Sequence, residues 1–214
     1  CAILLKKQGY DVTGVTLNMI PENENAIKDA KLVCEKLGIE HIVIEAQDVF
    51  KNKVINNFIE TYANIETPNP CIQCNIYLKF GALYDYMKNN NYDYIATGHY
   101  AKIEYNEDLK QNVIVKSKSE KKDQTYVLYG IEKEKLNHIN FPLADFESKE
   151  EIRNILKNEN LDIISSKKDR QEICFIKDND YGKFLDSNIK KAIKKGDVVD
   201  KNGNKLGEHK GLIY

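Results

Sequence analysis

Val12-Thr-Gly-Val-Thr-Leu17, a helix-spaced run from Ala26 to Leu37, and Ile39-Glu-His-Ile-Val-Ile44 together decide the fold. The two outer runs are rich in β-branched residues and read as strands. Between them Ala26, Ile27, Ala30, Leu32, Val33, Cys34 and Leu37 recur at helical spacing, and Gly38 stops the helix. The alternation continues outward in both directions. Upstream, Ala2–Lys7 closes a helix with Gly9 where a C-cap glycine would sit. Downstream, Val49, Val54, Ile55, Phe58, Ile59 and Tyr62 mark another helix, and Thr67-Pro-Asn-Pro70 breaks the chain. Asn75–Met87 is again helical, and Tyr94–Thr97 is a short strand ending at Gly98-His99-Tyr100. Repeated strand-helix units predict an α/β fold, a parallel sheet with helices on both faces.

The second half changes character. Ala101–Tyr105 and Asn112–Lys116 predict a hairpin, followed by a Lys-rich loop, Lys116–Asp123, and a helix over Thr125–Ile131. Ser148-Lys-Glu-Glu151 is a capping box opening a helix through Ile152, Ile155 and Leu156. A loop, Ser165–Glu172, leads into Ile173–Ile176. Gly196–Asp200 and Lys205–Glu208 flank Lys201-Asn-Gly-Asn204, a strong hairpin turn. A domain boundary is expected near residue 180.

Composition bounds the class. With 214 residues, 42% hydrophobic and 30% charged, the chain is neither disordered, collagen-like nor a disulfide scaffold. No apolar run approaches the ~20 residues of a membrane span, and no basic stretch precedes a long apolar one, as a secretory signal requires. The expected compartment is therefore the cytoplasm, with thiols as the default state of the five cysteines. Net charge is −1, which neither announces nor excludes nucleic-acid binding, since a local patch can be basic. The chain opens at Cys1 rather than Met, in what reads as the back half of a helix, so it is expected to be a fragment.

Three places carry chemistry. Cys71-Ile-Gln-Cys74 follows Asn69-Pro70 and opens a helix, where backbone N–H groups stabilise a thiolate. The pair reads as a redox or sulfur-handling site joined by Cys174, as a three-thiolate iron–sulfur site, or as inert buried thiols. Zinc is disfavoured, because no second Cys-x-x-Cys exists. Cys34 lies on an apolar helix face and reads as core. Gly98 and His99 stand at the C-terminal end of a strand, where open parallel sheets bind ligands. The alternative is a turn glycine and a surface histidine. Lys122-Asp123-Gln124 reads by itself as a solvated loop.

Five stretches together are more specific than any one. Thr67-Pro-Asn-Pro-Cys-Ile-Gln-Cys-Asn75, Ala96-Thr-Gly-His-Tyr100, Lys122-Asp-Gln-Thr-Tyr126, Gln171-Glu-Ile-Cys-Phe175 and Gly207-Glu-His-Lys-Gly-Leu-Ile-Tyr214 occur in this order. In these stretches the chain resembles the tRNA-specific 2-thiouridylase family, which transfers sulfur to the wobble uridine of tRNA. The resemblance implies an adenine-nucleotide-binding, Rossmann-like HUP domain of the pyrophosphatase-loop type over residues 1–180. It implies the start of a central tRNA-binding domain over 181–214.

The resemblance also implies a reaction and its residues. ATP, with Mg2+, adenylates the uridine 2-oxygen. Cys174 resembles the persulfide carrier, loaded by an upstream sulfur-relay protein, and Cys74 the paired catalytic cysteine, so both are expected to face one cleft. Asn69, Pro70 and Cys71 match the segment that meets the target base. Gly98 matches a nucleotide contact and Leu17 a position lining the adenine site. His99 and Lys122, Asp123 and Gln124 match tRNA contacts. Cys71, Cys74 and Cys174 are the ligands if an iron–sulfur cluster replaces the persulfide.

Three departures stand out. The family's Ser-Gly-Gly-x-Asp-Ser phosphate loop, expected before Cys1, and its C-terminal β-barrel, expected after Tyr214, are absent. Arg170 stands where the family usually has Ser. Rival readings are another pyrophosphatase-loop adenylating enzyme, which does not need Cys74 and Cys174, and a noncatalytic metal-binding module.

Overall fold

The computed structural model describes residues 1–159, 161, 173–176, 180–189 and 194–212. The chain divides into two compact units, Cys1–Phe50 with Cys71–Lys168, and Lys51–Pro70 with Asp169–Tyr214. The division crosses the sequence three times, at 50/51, 70/71 and 168/169, whereas sequence reading places a single boundary near residue 180. Its cause lies in the core of the second unit. Phe58 is buried there with Ile176 and Leu185, and Tyr62, Phe175 and Phe184 pack around them. The Phe58 ring meets Phe175 edge-on at 5.3 Å.

The first unit carries the expected strand-helix-strand. Strand β1, Gly14–Asn18, pairs in parallel with β2, His41–Glu45, with Val15 opposite Ile42 and Leu17 opposite Ile44. Helix α1 is Ala2–Lys7, α2 is Glu24–Leu37 and α3 is Gln47–Phe50, while α4, Asn56–Ala63, belongs to the second unit. Gly38 ends α2 in the left-handed region, φ 63°, as its place in the sequence predicts. Cys34 is buried on α2, and burial pushes its thiol pKa up. A Cβ on Gly14 would come within 2.3 Å of the Cys34 sulfur, so β1 needs glycine for α2 to pack this closely. Gly14→Ala should therefore destabilise the protein by about 1–3 kcal/mol. Urea unfolding checks this, and adding Cys34→Ala should recover much of the loss, because the clash is with sulfur.

A second parallel ribbon pairs β3, Ile95–Ala96, with β6, Ile139–Asn140. Two residues of strand give too short a periodic signal to read β6 from sequence. Each ribbon has two strands, so both of its outer edges lack a ladder partner among the described residues. A cavity of about 480 Å³ is lined by Gly14 and Val15 of β1, Ala96 of β3 with Tyr94 just before that strand, and Cys1 and Leu5. Unpaired strand edges of this kind are templates for a further strand.

The cysteine pair opens a helix, as its place after Asn69-Pro70 predicts. Helix α5 is Pro70–Cys74, continuing through a π-helical stretch, Asn75–Ala82, into α6, Leu83–Asn89. Pro70 occupies the first helical position, where its missing N–H costs nothing. A Cβ on Gly81 would lie 2.8 Å from the Ile76 carbonyl oxygen, so glycine permits the wide turn.

The hairpin forms as β4, Ala101–Asn106, against β5, Gln111–Lys116. The helix expected over Thr125–Ile131 is only a short 3-10 turn, Thr125–Val127. Val127 and Leu128 are instead pulled into a core with Phe80, Ala101, Leu136, Ile139 and Phe141, and tertiary burial overrides helical spacing. Helix α7, Lys149–Asn158, starts at the predicted capping box, with Ser148 and Glu151 bonded reciprocally. In the second unit α8 is Tyr181–Asn188, and β7, Gly196–Val199, pairs with β8, Lys205–His209. Among the described residues no helix is long and apolar enough to cross a membrane. The whole Ser165–Glu172 loop, with Arg170, Gln171 and Glu172, lies outside the described residues, as do the last two residues of the fifth motif.

Candidate functional site

Three of the five motifs interlock in the first unit. The cysteine helix, the Gly98-His99-Tyr100 turn after β3 and the Lys122-Asp123-Gln124 loop are joined by side chains from each.

Cys74 is half-buried, and its sulfur lies 4.0 Å from the Met19 sulfur. Met19 directly follows β1, two residues after Leu17. The catalytic-cysteine candidate therefore lies at the C-terminal end of β1, the strand that carries Leu17 and the end at which open parallel sheets bind ligands. Cys71 is exposed in the first helical turn, and Asn69 just before the helix is exposed as well.

Asn75, the last residue of the cysteine motif, is almost fully buried. Its amide donates to the Val127 carbonyl at 2.9 Å. This fixes the cysteine helix against the turn that follows Gln124. Sequence reading gave Asn75 no role; a polar residue at a core position of the helix was the available signal.

Gly98 is exposed. Its φ lies outside the left-handed region, and a Cβ there would sit 3.6 Å from Leu143 and 3.7 Å from the Cys1 sulfur, ordinary contact distances. Neither backbone conformation nor packing demands glycine at this position. A ligand approaching the bare backbone would.

His99 is buried rather than on the surface, at 6% exposure. Its ring lies between Phe80 and Phe141, with centroids 5.9 Å away on each side. Nδ1 is 2.7 Å from the Thr97 hydroxyl and Nε2 is 3.4 Å from the Lys79 ammonium. Burial, reinforced by the Lys79 charge, pushes its pKa down to about 3, so the imidazole is neutral. The ring is thus fully engaged inside the fold, and any effect on tRNA passes through its neighbours.

Asp123 and Gln124 are likewise turned inward. The Asp123 carboxylate accepts from the Ser117 and Thr125 backbone N–H groups at 3.2 and 3.1 Å, and from the Thr125 hydroxyl. Gln124 Oε1 accepts from the Tyr100 N–H at 3.0 Å, while the Gln124 N–H donates to the Tyr100 carbonyl at 2.9 Å. This two-way bond stitches the loop to the turn carrying Gly98 and His99. Lys122 alone of the three is exposed.

Cys174 is exposed and belongs to the second unit, where its neighbours Phe175 and Ile176 pack on Phe58. None of the five cysteines is in a disulfide. Among the described residues no three His, Cys, Asp or Glu side chains come together to hold a metal ion.

Known proteins supply the context. Over its whole length the chain is 44% identical to the tRNA-specific 2-thiouridylase MnmA of Clostridioides difficile and 46% identical to that of Clostridium acetobutylicum. It is 42% identical to the one from Acetivibrio thermocellus. It spans 62% of the length of each of these relatives. Residues 1–178 match the family described as the tRNA methyl transferase HUP domain. The parallel ribbons and the motifs at their C-terminal ends are thus those of a known lineage, and the chain belongs to the tRNA methyl transferase HUP domain family.

Proposed function

We propose that the full-length protein is an ATP-dependent tRNA 2-thiouridylase, with the chain described here carrying most of the catalytic domain. The observation that supports this best is the interlocking of the cysteine helix, the Gly98 turn and the Lys122 loop at the C-terminal ends of parallel strands. Sulfur transfer to an activated base needs a thiol beside a nucleotide site, and these motifs supply both in one unit.

Each residue then has a task. Leu17 lines the adenine site and the bare backbone at Gly98 lets the nucleotide approach. Bound ATP, with Mg2+, makes the uridine 2-oxygen a leaving group by adenylating it. Asn69, Pro70 and Cys71 meet the target base, and exposed Lys122 offers a positive charge to the tRNA backbone. Asp123 and Gln124 hold that lysine's loop in place. Cys174, loaded as a persulfide by a sulfur-relay protein, carries the nucleophilic sulfur, whose attack on uridine C2 expels the adenylated 2-oxygen as AMP. The Cys74 thiolate then attacks the Cys174 sulfur. A Cys74–Cys174 disulfide forms, the persulfide S–S bond breaks, and the sulfur stays on the base. An external thiol reduces the disulfide for the next turnover. The proposed setting is the cytoplasm, where tRNA and reduced thiols coexist.

Cys71 separates this route from a cluster-dependent one. If sulfur moves as persulfide, Cys71→Ser should retain activity within about threefold, because no bond to Cys71 forms or breaks. If a cluster were required, serine would be a far poorer iron ligand than thiolate. The test is 2-thiouridine formed per enzyme by the variant, purified in air and again after anaerobic reconstitution with iron and sulfide. Substantial activity in air supports the persulfide. Wild-type activity only after reconstitution, with none in the variant, overturns it.

A further inference from the structure

Lys79 lies five residues beyond Cys74 on the same helix, and sequence reading gave it no role. Lys79 is half-buried, and among the described residues no carboxylate forms an ion pair with it. Its partner is instead His99 Nε2, at 3.4 Å. Lysine has only donors, so Nε2 must accept. A neutral ring then carries its proton on Nδ1, which donates to the Thr97 hydroxyl at 2.7 Å. Thr97 thus sets the tautomer, and Phe80 and Phe141 fix the ring between them. The assembly aims one lone pair at one ammonium and leaves that ammonium two unspent donors and a full positive charge. A half-buried cation beside a neutral acceptor attracts an anion more strongly than a solvated surface lysine does. Through His99 it is tied to the Gly98 turn, and it stands on the continuation of the Cys74 helix.

We propose that Lys79 binds a phosphate group at this site and that buried His99 is the positioning residue that aims it. The phosphate belongs either to the nucleotide or to the tRNA backbone, which offer the same oxygens. The inference rests on the site reading given above, and its test is independent of sulfur chemistry.

The experiment uses full-length protein and direct binding: ATP with Mg2+ by calorimetry, and tRNA by fluorescence anisotropy at several salt concentrations. Lys79→Gln should weaken one of the two by roughly 10- to 100-fold, the range of a charge-assisted hydrogen bond. Loss confined to ATP assigns the nucleotide phosphates. Loss confined to tRNA, with a salt slope lower by about one, assigns a backbone phosphate. Lys79→Arg should recover part of the affinity. His99→Phe keeps an aromatic filler but removes the acceptor, and should weaken the same ligand by roughly fivefold or more. The pair Lys79→Gln with His99→Phe should then be no worse than Lys79→Gln alone, because His99 acts only through the lysine. If a folded Lys79→Gln variant binds both ligands within twofold of wild type, the proposal fails. Fully additive losses in the pair would remove His99 from the role. Should the wild type bind ATP and tRNA yet form no 2-thiouridine, the thiolation reading fails, and the Lys79 comparison still decides the phosphate site.

Discussion

Cys74→Ser and Cys174→Ser should each lower 2-thiouridine formation by the full-length protein on the order of 10³-fold or more. A serine at 174 cannot carry a persulfide, and a serine at 74 cannot break the S–S bond that holds the sulfur. The two act as a unit, so the double variant should be no worse than either single one. ATP and tRNA binding should survive, since neither thiol holds those ligands. Cys174 is exposed and Cys74 half-buried, so serine at either position should cost little stability. The check is nucleoside analysis of tRNA alongside binding and thermal unfolding. Activity in either variant within tenfold of wild type would remove that cysteine from the chemistry. It would also favour a pyrophosphatase-loop enzyme that needs no thiols.

The second large effect concerns the nucleotide. Gly98→Val should weaken ATP binding by roughly 10- to 100-fold, about 1.4–2.8 kcal/mol. Folding should be nearly unaffected, because a Cβ at this position meets only ordinary contacts and the backbone is not in the left-handed region. Gly98 is exposed, so an added side chain takes space at the surface that bare backbone leaves to a ligand, and the cost falls on the ligand. Calorimetry with ATP, paired with urea unfolding, separates the cases. A loss of stability with unchanged ATP affinity would make Gly98 a packing glycine.

Much of this arrangement is legible in the sequence because it rests on local signals. The β1-α2-β2 unit declares itself through β-branched runs, helical spacing and Gly38. The Ser148 capping box and the β4–β5 hairpin follow from local rules too. Cys34 reads as core from its place on the apolar face, and it is buried. The misses are long-range. Strand β6 has two residues and exists only through its pairing with β3. Thr125–Ile131 has helical spacing but gives its apolar residues to a core built from distant segments. His99 looks like a surface residue after a glycine, yet two phenylalanines far apart in sequence enclose it. Asp123 and Gln124 look like a solvated charged loop, while their side chains are spent on backbone groups of Ser117, Thr125 and Tyr100. Lys79 carried no motif at all, and its interest comes from the histidine brought opposite it. The resemblance to the thiouridylases identified the motifs. It did not show that three of them are stitched together by Asn75, Lys79 and Gln124.

The central claim is that sulfur passes from Cys174 to the base, and a single turnover tests it most directly. Full-length protein is loaded with isotopically labelled persulfide, freed of excess donor, and mixed with ATP and unmodified tRNA. Mass spectrometry then follows both the Cys174 peptide and the tRNA nucleosides. The account predicts that label leaves Cys174 and appears in 2-thiouridine in equal amount, only when ATP is present, with a Cys74–Cys174 disulfide formed at the same rate. Labelled persulfide that stays on Cys174 while 2-thiouridine accumulates, or a methylated nucleoside in place of a thiolated one, would contradict it.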